Sequence, residues 1–172
     1  MAAVQKISPF LWFDSQAEEA AKYYVSIFKN SKINSVSRYG EAGKEIHKRP
    51  VGSAMVVDFT LEGQHFLALN GGPNFKFTEA ISLFIACQDQ AEIDYYWDRL
   101  TQGGDPAAQQ CGWLKDKFGL SWQVAPADFG RILGDPKDPG SQRAMAAMMQ
   151  MKKIDIPKLE EAKAGATAGA AK

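Results

Sequence analysis

"ISPFLWFDSQAEEA" (Ile7–Ala20) and "ISLFIACQDQAEID" (Ile81–Asp94) are two versions of one stretch of sequence. Aligned without gaps over Ile7–Glu18 and Ile81–Glu92, six of twelve positions are identical: Ile, Ser, Phe, Gln, Ala and Glu. Unrelated segments of ordinary composition would share about one. An internal repeat sets the architecture, so it is read before any other feature. In the first copy, the alternation from Ile7 to Phe13 predicts a strand with Ser8, Phe10 and Trp12 on one face. Pro9 donates no amide hydrogen, which puts this strand at a sheet edge or near a strand start. Ser15 and Glu18 have the spacing of a capping box. Ala17, Ala20, Ala21, Tyr24 and Phe28 then recur at helical intervals as one buried stripe.

The second copy follows the same plan. Ile81–Cys87 is strand-like, Asp89 and Glu92 repeat the cap, and Ile93, Tyr96, Trp97 and Leu100 form the stripe. Tyr23–Tyr24 matches Tyr96–Trp97 only after one residue is dropped in the first helical turn, so the repeat slips by one. Gly103–Gly104 tolerate the left-handed conformation that ends a helix. Each helix leads into a hairpin. "AMVVDFTLEGQHFLALNGG" turns at Glu62–Gly63, and "CGWLKDKFGLSWQVAP" turns near Asp116–Gly119. Both carry Gly-x-x-aromatic on the return, Gly63 with Phe66 and Gly119 with Trp122. A further strand is predicted over Ile33–Tyr39, whereas its counterpart "DPAAQQ" is poor strand material.

The predicted fold class is therefore α+β: two pseudo-symmetric βαβββ modules, residues 1–73 and 80–126, within a single domain spanning 1–172. After Pro126, "ADFGRILGD", "DPGSQRAMAAMMQMK" and "DIPKLEEAKAGA" read as a C-terminal helical appendage over 127–172. It has no equivalent in the first half, and its "AGATAGAAK" end reads as a frayed tail.

The totals narrow the function classes. The 172 residues are 45% hydrophobic and 11% aromatic, enough for a sizeable core, and 20 basic residues balance 20 acidic ones. A net charge of zero with no aromatic-interleaved basic cluster gives no support for nucleic acid or an anionic membrane as partner. "MAAVQKISPF" lacks the apolar core of a signal peptide, and no apolar run reaches the roughly 18–20 residues that span a bilayer. A cytoplasmic location is the expectation. Cys87 and Cys111 have no CxxC spacing and read as buried free thiols.

A duplicated βαβββ unit with these residues resembles the vicinal oxygen chelate superfamily, the glyoxalase/bleomycin-resistance fold. "ISPFLWFDSQAEEAAKYYVSIF", "HFLALNGGPNFKF", "AISLFIACQDQAEIDYYW", "CGWLKDKFGLSWQVAP" and "MKKIDIPKLEEA" resemble its PhnB-like branch, which carries the name 3-demethylubiquinone-9 3-methyltransferase. The resemblance implies cupped mixed sheets, a ligand cavity between the modules and a homodimer. It also implies four metal-ligand positions, carried by the repeat onto Ser8, Ser82, Leu67 and Gln123. Only Gln123 is a ligand of the type that metalloenzyme members place there. Leucine cannot ligate and serine hydroxyls are poor neutral donors, so no metal and no cofactor are expected.

The remaining candidates for chemistry are few. His47, with Glu41 and Glu45 nearby, reads as a solvated loop histidine or a displaced ligand. His65 shares a strand face with Leu67 and reads either as a general base or as an ordinary hydrogen-bonded histidine. Ser8 and Ser82 read as contacts to one ligand oxygen or as local backbone partners. A nucleophilic serine requires a base and an orienting acid, which no spacing supplies. Phe10, Trp12, Phe84, Trp113 and Trp122 read first as core aromatics, with Phe10 and Trp12 the candidate pocket wall. The chain contains no G-x-G, so the Gly-rich loop of a nucleotide-type methyl-donor site is not present. The expected function is binding of a small organic molecule, metal-free, with the reaction unassigned. Alternatives are a metal-dependent lyase, isomerase or dioxygenase using His65, Glu62 or His47, an oligomeric scaffold built on the Met-rich C-terminal helix, and, disfavoured by the absent Gly-rich loop, the methyltransferase of the branch's name.

Overall fold

The computed structural model describes residues 5–165, and the chain divides into two compact units, Met1–Phe77 and Thr78–Lys172. Most of the "AGATAGAAK" end lies outside the described residues. In the first unit, β1 (Phe10–Phe13), β2 (Lys32–Arg38), β3 (Ala54–Leu61) and β4 (Gln64–Asn70) form one sheet in the order β1-β4-β3-β2. β1 runs parallel to β4 with Phe10 opposite Leu67, and the other pairs are antiparallel. α1 (Ala17–Ile27) makes the crossover that a parallel pair requires. Its buried residues Ala17, Ala20, Ala21, Tyr24 and Ile27, with Phe28 just beyond its end, follow the expected stripe. They cover Leu11, Phe13, Val57, Phe59, Phe66 and Ala68, all buried, with Tyr24 stacked on Phe59. On the opposite face Phe10 is exposed and Trp12, Leu67, Asp58 and Thr60 are only half-buried.

The hairpin turn falls where expected. Glu62 and Gly63 take φ of 45° and 81°, the doubly positive turn whose twist matches the flanking strands. β1 starts at Phe10, after Pro9, whose carbonyl still accepts from the Leu67 amide at 3.0 Å although its ring nitrogen has no hydrogen to donate. The α1 cap differs from the sequence expectation. Ser15 makes no side-chain cap; Asn70, at the end of β4, accepts from the Ala17 amide at 2.7 Å. Asn70 is buried, also donates to the Ala54 carbonyl at 3.0 Å, and accepts at its own carbonyl from the Tyr39 hydroxyl at 2.7 Å. A side chain from a distant strand thus replaces the local serine.

In the second unit, β5 (Leu83–Cys87), β6 (Trp113–Lys115) and β7 (Ser121–Pro126) form a three-stranded sheet, order β5-β7-β6, with β5 parallel to β7. α3 (Gln90–Leu100) is the crossover, α2 (Lys44–His47) being a single turn in the first unit. Asp89 caps α3 by accepting from Glu92, and the Glu92 carboxylate accepts from the Gln88 amide. Ile93, Trp97 and Leu100 are buried as expected, while Tyr96 is only half-buried.

The expected βαβββ pattern is complete only in the first unit. The "DPAAQQ" segment makes a 3-10 turn at Pro106–Ala108 instead of a strand, because Asp105 accepts from the Ala107 amide and Pro106 has no amide to donate. At the β6–β7 turn, Asp116 is buried and accepts from the Phe118 and Leu120 amides and the Trp122 indole.

The C-terminal segments are helical as read: α4 (Phe129–Leu133), α5 (Pro139–Met148) and α6 (Ile156–Ala164). They complete the second unit's core through Ile132, Ala144, Met148 and Leu159, with Ile154. The Gln90 side chain joins them to α3, donating to the Ile154 carbonyl and accepting from the Ile156 amide.

Replacing Asn70 by alanine leaves the buried Ala17 amide and Ala54 carbonyl without partners. It is expected to destabilise the chain by about 1–3 kcal/mol in urea unfolding. Ser15→Ala, at an exposed position, is expected to change stability by less than about 0.5 kcal/mol; equal losses in the two variants would show that the cap is the local serine after all.

Candidate functional site

Strand alternation sorts the first sheet into a helix-covered face and an open one. On the open face, β1 and the residues before it present Ser8, Phe10 and Trp12, as the alternation predicts. β4 presents His65, Leu67 and Leu69, and β3 presents Val56, Asp58 and Thr60. Phe10 is 55% exposed and so is not the core aromatic its hydrophobicity indicated, because it points away from α1. Trp12 is half-buried on the same side; its indole donates to the Gly72 carbonyl at 2.8 Å and its ring meets Phe75 edge-on at 4.9 Å. Gly71 allows that placement, since a Cβ there would lie 2.2 Å from the indole.

The register then does something that sequence spacing did not reveal. Phe10 opposite Leu67 brings Ser8 level with His65, and the Ser8 Oγ lies 2.8 Å from His65 Nδ1. His65 Nε2 lies 2.8 Å from Asp58 Oδ1, both side chains about one-third exposed. Asp58 Oδ1 also accepts from Asn34 Nδ2 at 2.7 Å, and the Asn34 amide reaches Thr60 Oγ1 at 3.0 Å. A carboxylate has no proton to donate, so Nε2 carries a hydrogen, and in the neutral imidazole Nδ1 is the acceptor of the serine hydroxyl. Gln5 spans the near side, its carbonyl accepting from the His65 amide at 3.2 Å and its Nε2 standing 3.4 Å from Ser8 Oγ. The base and acid judged missing beside a serine are thus present. They were invisible because Ser8, Asp58 and His65 come from three chain segments joined only by strand pairing.

The second sheet repeats the position but not the chemistry. Phe84 lies opposite Gln123, matching Phe10 opposite Leu67, so the repeat equates Ser82 with Ser8 and Gln123 with Leu67. Gln123 Nε2 donates to Ser82 Oγ at 2.8 Å, and no histidine is near in its sheet. Phe84 is 53% exposed, again not core, and Trp113 is half-buried, whereas Trp122 is buried as expected.

The other candidates are engaged elsewhere. His47 ends α2 rather than floating in a loop: its Nδ1 accepts from the Arg49 amide at 3.0 Å and its ring lies on Tyr39 at 4.5 Å. Glu41 pairs with Lys44, and Glu62 accepts from Asn30. Cys87 is fully buried, and burial, with Glu92 and Asp89 adding to it, pushes its thiol up to about 12. Cys111 is not the buried strand residue expected; it sits half-exposed at a turn with φ of 52°.

The four family metal positions do not fit a divalent ion. Leu67 is apolar, Ser8 is held by His65, Ser82 is held by Gln123, and the Gln123 amide nitrogen is directed at that serine. Among the described residues, no three His, Cys, Asp or Glu side chains are grouped so as to hold a metal. Nor does the turn after β1 fit a nucleotide-type donor, since the leading amide of α1 is occupied by Asn70. Among the described residues, no helix is long and apolar enough to cross a membrane.

Two mixed sheets, each with its first strand closed in parallel on its last by a helical crossover, define a protein of the glyoxalase-like fold class. The family model described as 3-demethylubiquinone-9 3-methyltransferase matches residues 5–125, and the chain belongs to that PhnB-like family. Among solved structures, the PhnB protein of Bacillus cereus, provisionally named as a 3-demethylubiquinone-9 3-methyltransferase, is 40% identical. That alignment covers 72% of this chain and 100% of the other, with a TM-score of 0.61. A protein of Pseudomonas aeruginosa is 18% identical over 72% of this chain and 98% of its own, with a TM-score of 0.55, a likeness of fold. No curated protein matches the chain.

The two thiols are expected to differ sharply. Iodoacetamide at pH 8 on the folded protein should add one adduct, on Cys111, with Cys87 alkylated only after denaturation. Intact mass and peptide mapping read this directly, and early modification of Cys87 would contradict its burial.

Proposed function

We propose that the protein binds a small organic molecule against the open face of its first sheet, without a divalent metal. The observation that supports this most is the chain of polar side chains Ser8–His65–Asp58 set among Phe10, Trp12, Leu67 and Leu69. Ligand sites combine a mostly apolar wall with a few placed polar groups. Here the wall takes a flat or apolar body, and Ser8 and His65 orient an oxygen or nitrogen on it. Ser82 and Gln123 offer a second polar pair on the equivalent position of the other sheet. The methyltransferase in the family's name has no support from the local residues, the leading amide of α1 being taken by Asn70. The family resemblance also leads us to propose a homodimer. Ile7 at 86% and Ile81 at 73% exposed, beside Phe10 and Phe84, give each edge strand an apolar border.

The dye 8-anilinonaphthalene-1-sulfonate, an aromatic ring system with one anionic group, is a suitable probe. The folded chain should bind it saturably, Leu67→Arg should weaken binding at least tenfold, and Trp12 fluorescence should change on binding. Equal binding by Leu67→Arg, with folding intact, would remove this face as the site. Elemental analysis of protein purified without added metal should find well below one zinc, nickel or iron per chain; a stoichiometric amount would overturn the metal-free reading.

A further inference from the structure

We propose that Ser8 is an activated nucleophile, with His65 as its base and Asp58 as positioning residue, and that this face accepts acyl groups from small activated esters. The inference rests on the reading of the first sheet's open face as a binding face, and adds a reaction to it. Three neighbouring segments supply the parts: the approach to β1 gives Ser8, β4 gives His65 and β3 gives Asp58. Both links are 2.8 Å long, within the reach a nucleophile–base–orienter array requires.

Asp58 fixes the imidazole in the tautomer that accepts from serine. Compared with the protease arrangement, the two ring nitrogens exchange places while their roles stay the same. Asn34 in turn holds the carboxylate. The Gln5 amide nitrogen, which donates to the Ile7 carbonyl at 2.7 Å and stands 3.4 Å from Ser8 Oγ, is a donor beside any oxyanion formed there.

The chain contains its own control. Ser82 occupies the repeat-equivalent position, yet its partner is an amide that can only donate through nitrogen and cannot take up a proton. If position alone made a serine reactive, both would react.

The step balances without a cofactor. Ser8 Oγ bonds to the ester carbonyl carbon as its proton passes to His65 Nδ1. The carbon–oxygen bond to the leaving alcohol then breaks, and His65 returns the proton to that oxygen. Water attacks the Ser8 ester, giving a proton to His65; the carboxylic acid departs and the proton returns to Oγ.

The test treats the full chain with a fluorophosphonate, whose phosphorus bonds to Oγ as fluoride leaves, and maps adducts by mass spectrometry. One adduct on Ser8 and none on Ser82 is expected, with labelling at least 100-fold slower in His65→Gln. With p-nitrophenyl acetate, Ser8→Ala should lose turnover. Asp58→Asn should lower kcat at least tenfold with KM within twofold, a split that a merely structural role would not give. Absence of a Ser8 adduct, equal labelling of Ser82, or labelling indifferent to His65→Gln would each overturn the proposal. Dye binding measured on the same samples separates the two readings. Retained binding without acylation sinks only the nucleophile, whereas loss of binding in the unmodified protein sinks the binding face as well.

Discussion

Everything distinctive in this chain follows from one pairing: the first strand of each unit lies parallel to the last. A parallel pair cannot be joined by a tight turn, so the chain leaves the first strand by a long connection, here a helix, and the intervening strands fit on the far side of the last one. In the first unit this places β1 at the edge, where Pro9 costs no ladder bond that a neighbour would need. It also ends β4 beside the start of α1, where Asn70 can cap the helix. The same register sets Ser8 beside His65. Helix cap and polar relay are thus two ends of one strand pair.

A single helix can cover only one face of its sheet. α1 buries Leu11, Phe13, Phe59 and Phe66 and leaves Phe10, Trp12 and Leu67 on the other side. Those three are as hydrophobic as the buried set, which is why composition reads Phe10 as core. Their exposure is a geometric outcome of strand alternation with a cover on one side. Apolar residues left in this way around a short polar chain are the composition on which the proposed binding face rests.

The two halves keep the same strand pairing and crossover helix but differ both in the partner of the repeated serine and in what completes the core. Phe10 and Phe84, Ser8 and Ser82, and the two crossover helices correspond, yet Ser8 faces an imidazole and Ser82 an amide. The second unit has the Asp105–Pro106 turn in place of a strand, and its core is filled by Ile132 of α4, Leu159 of α6 and Ile154 just before α6. The asymmetry puts a proton acceptor beside the serine of one sheet only.

The sequence by itself determined the crossover helices, the hairpin turns and the helical C-terminus, because each rests on spacing or turn chemistry within about twenty residues, and the duplication, because residue identity can be matched along the chain without knowing what touches what. It also marked Ser8, Ser82, Leu67 and Gln123 as equivalent positions and showed three of them unsuited to metal. Tertiary structure alone decided that Asn70 displaces Ser15 as a cap, that Phe10 and Phe84 face outward, and that Asp58 and Ser8 flank His65. The physical reason is the same in each case. A hydrogen bond between residues 53, 57 or 7 positions apart depends on which strands pair and in what register, and register is a property of the assembled sheet.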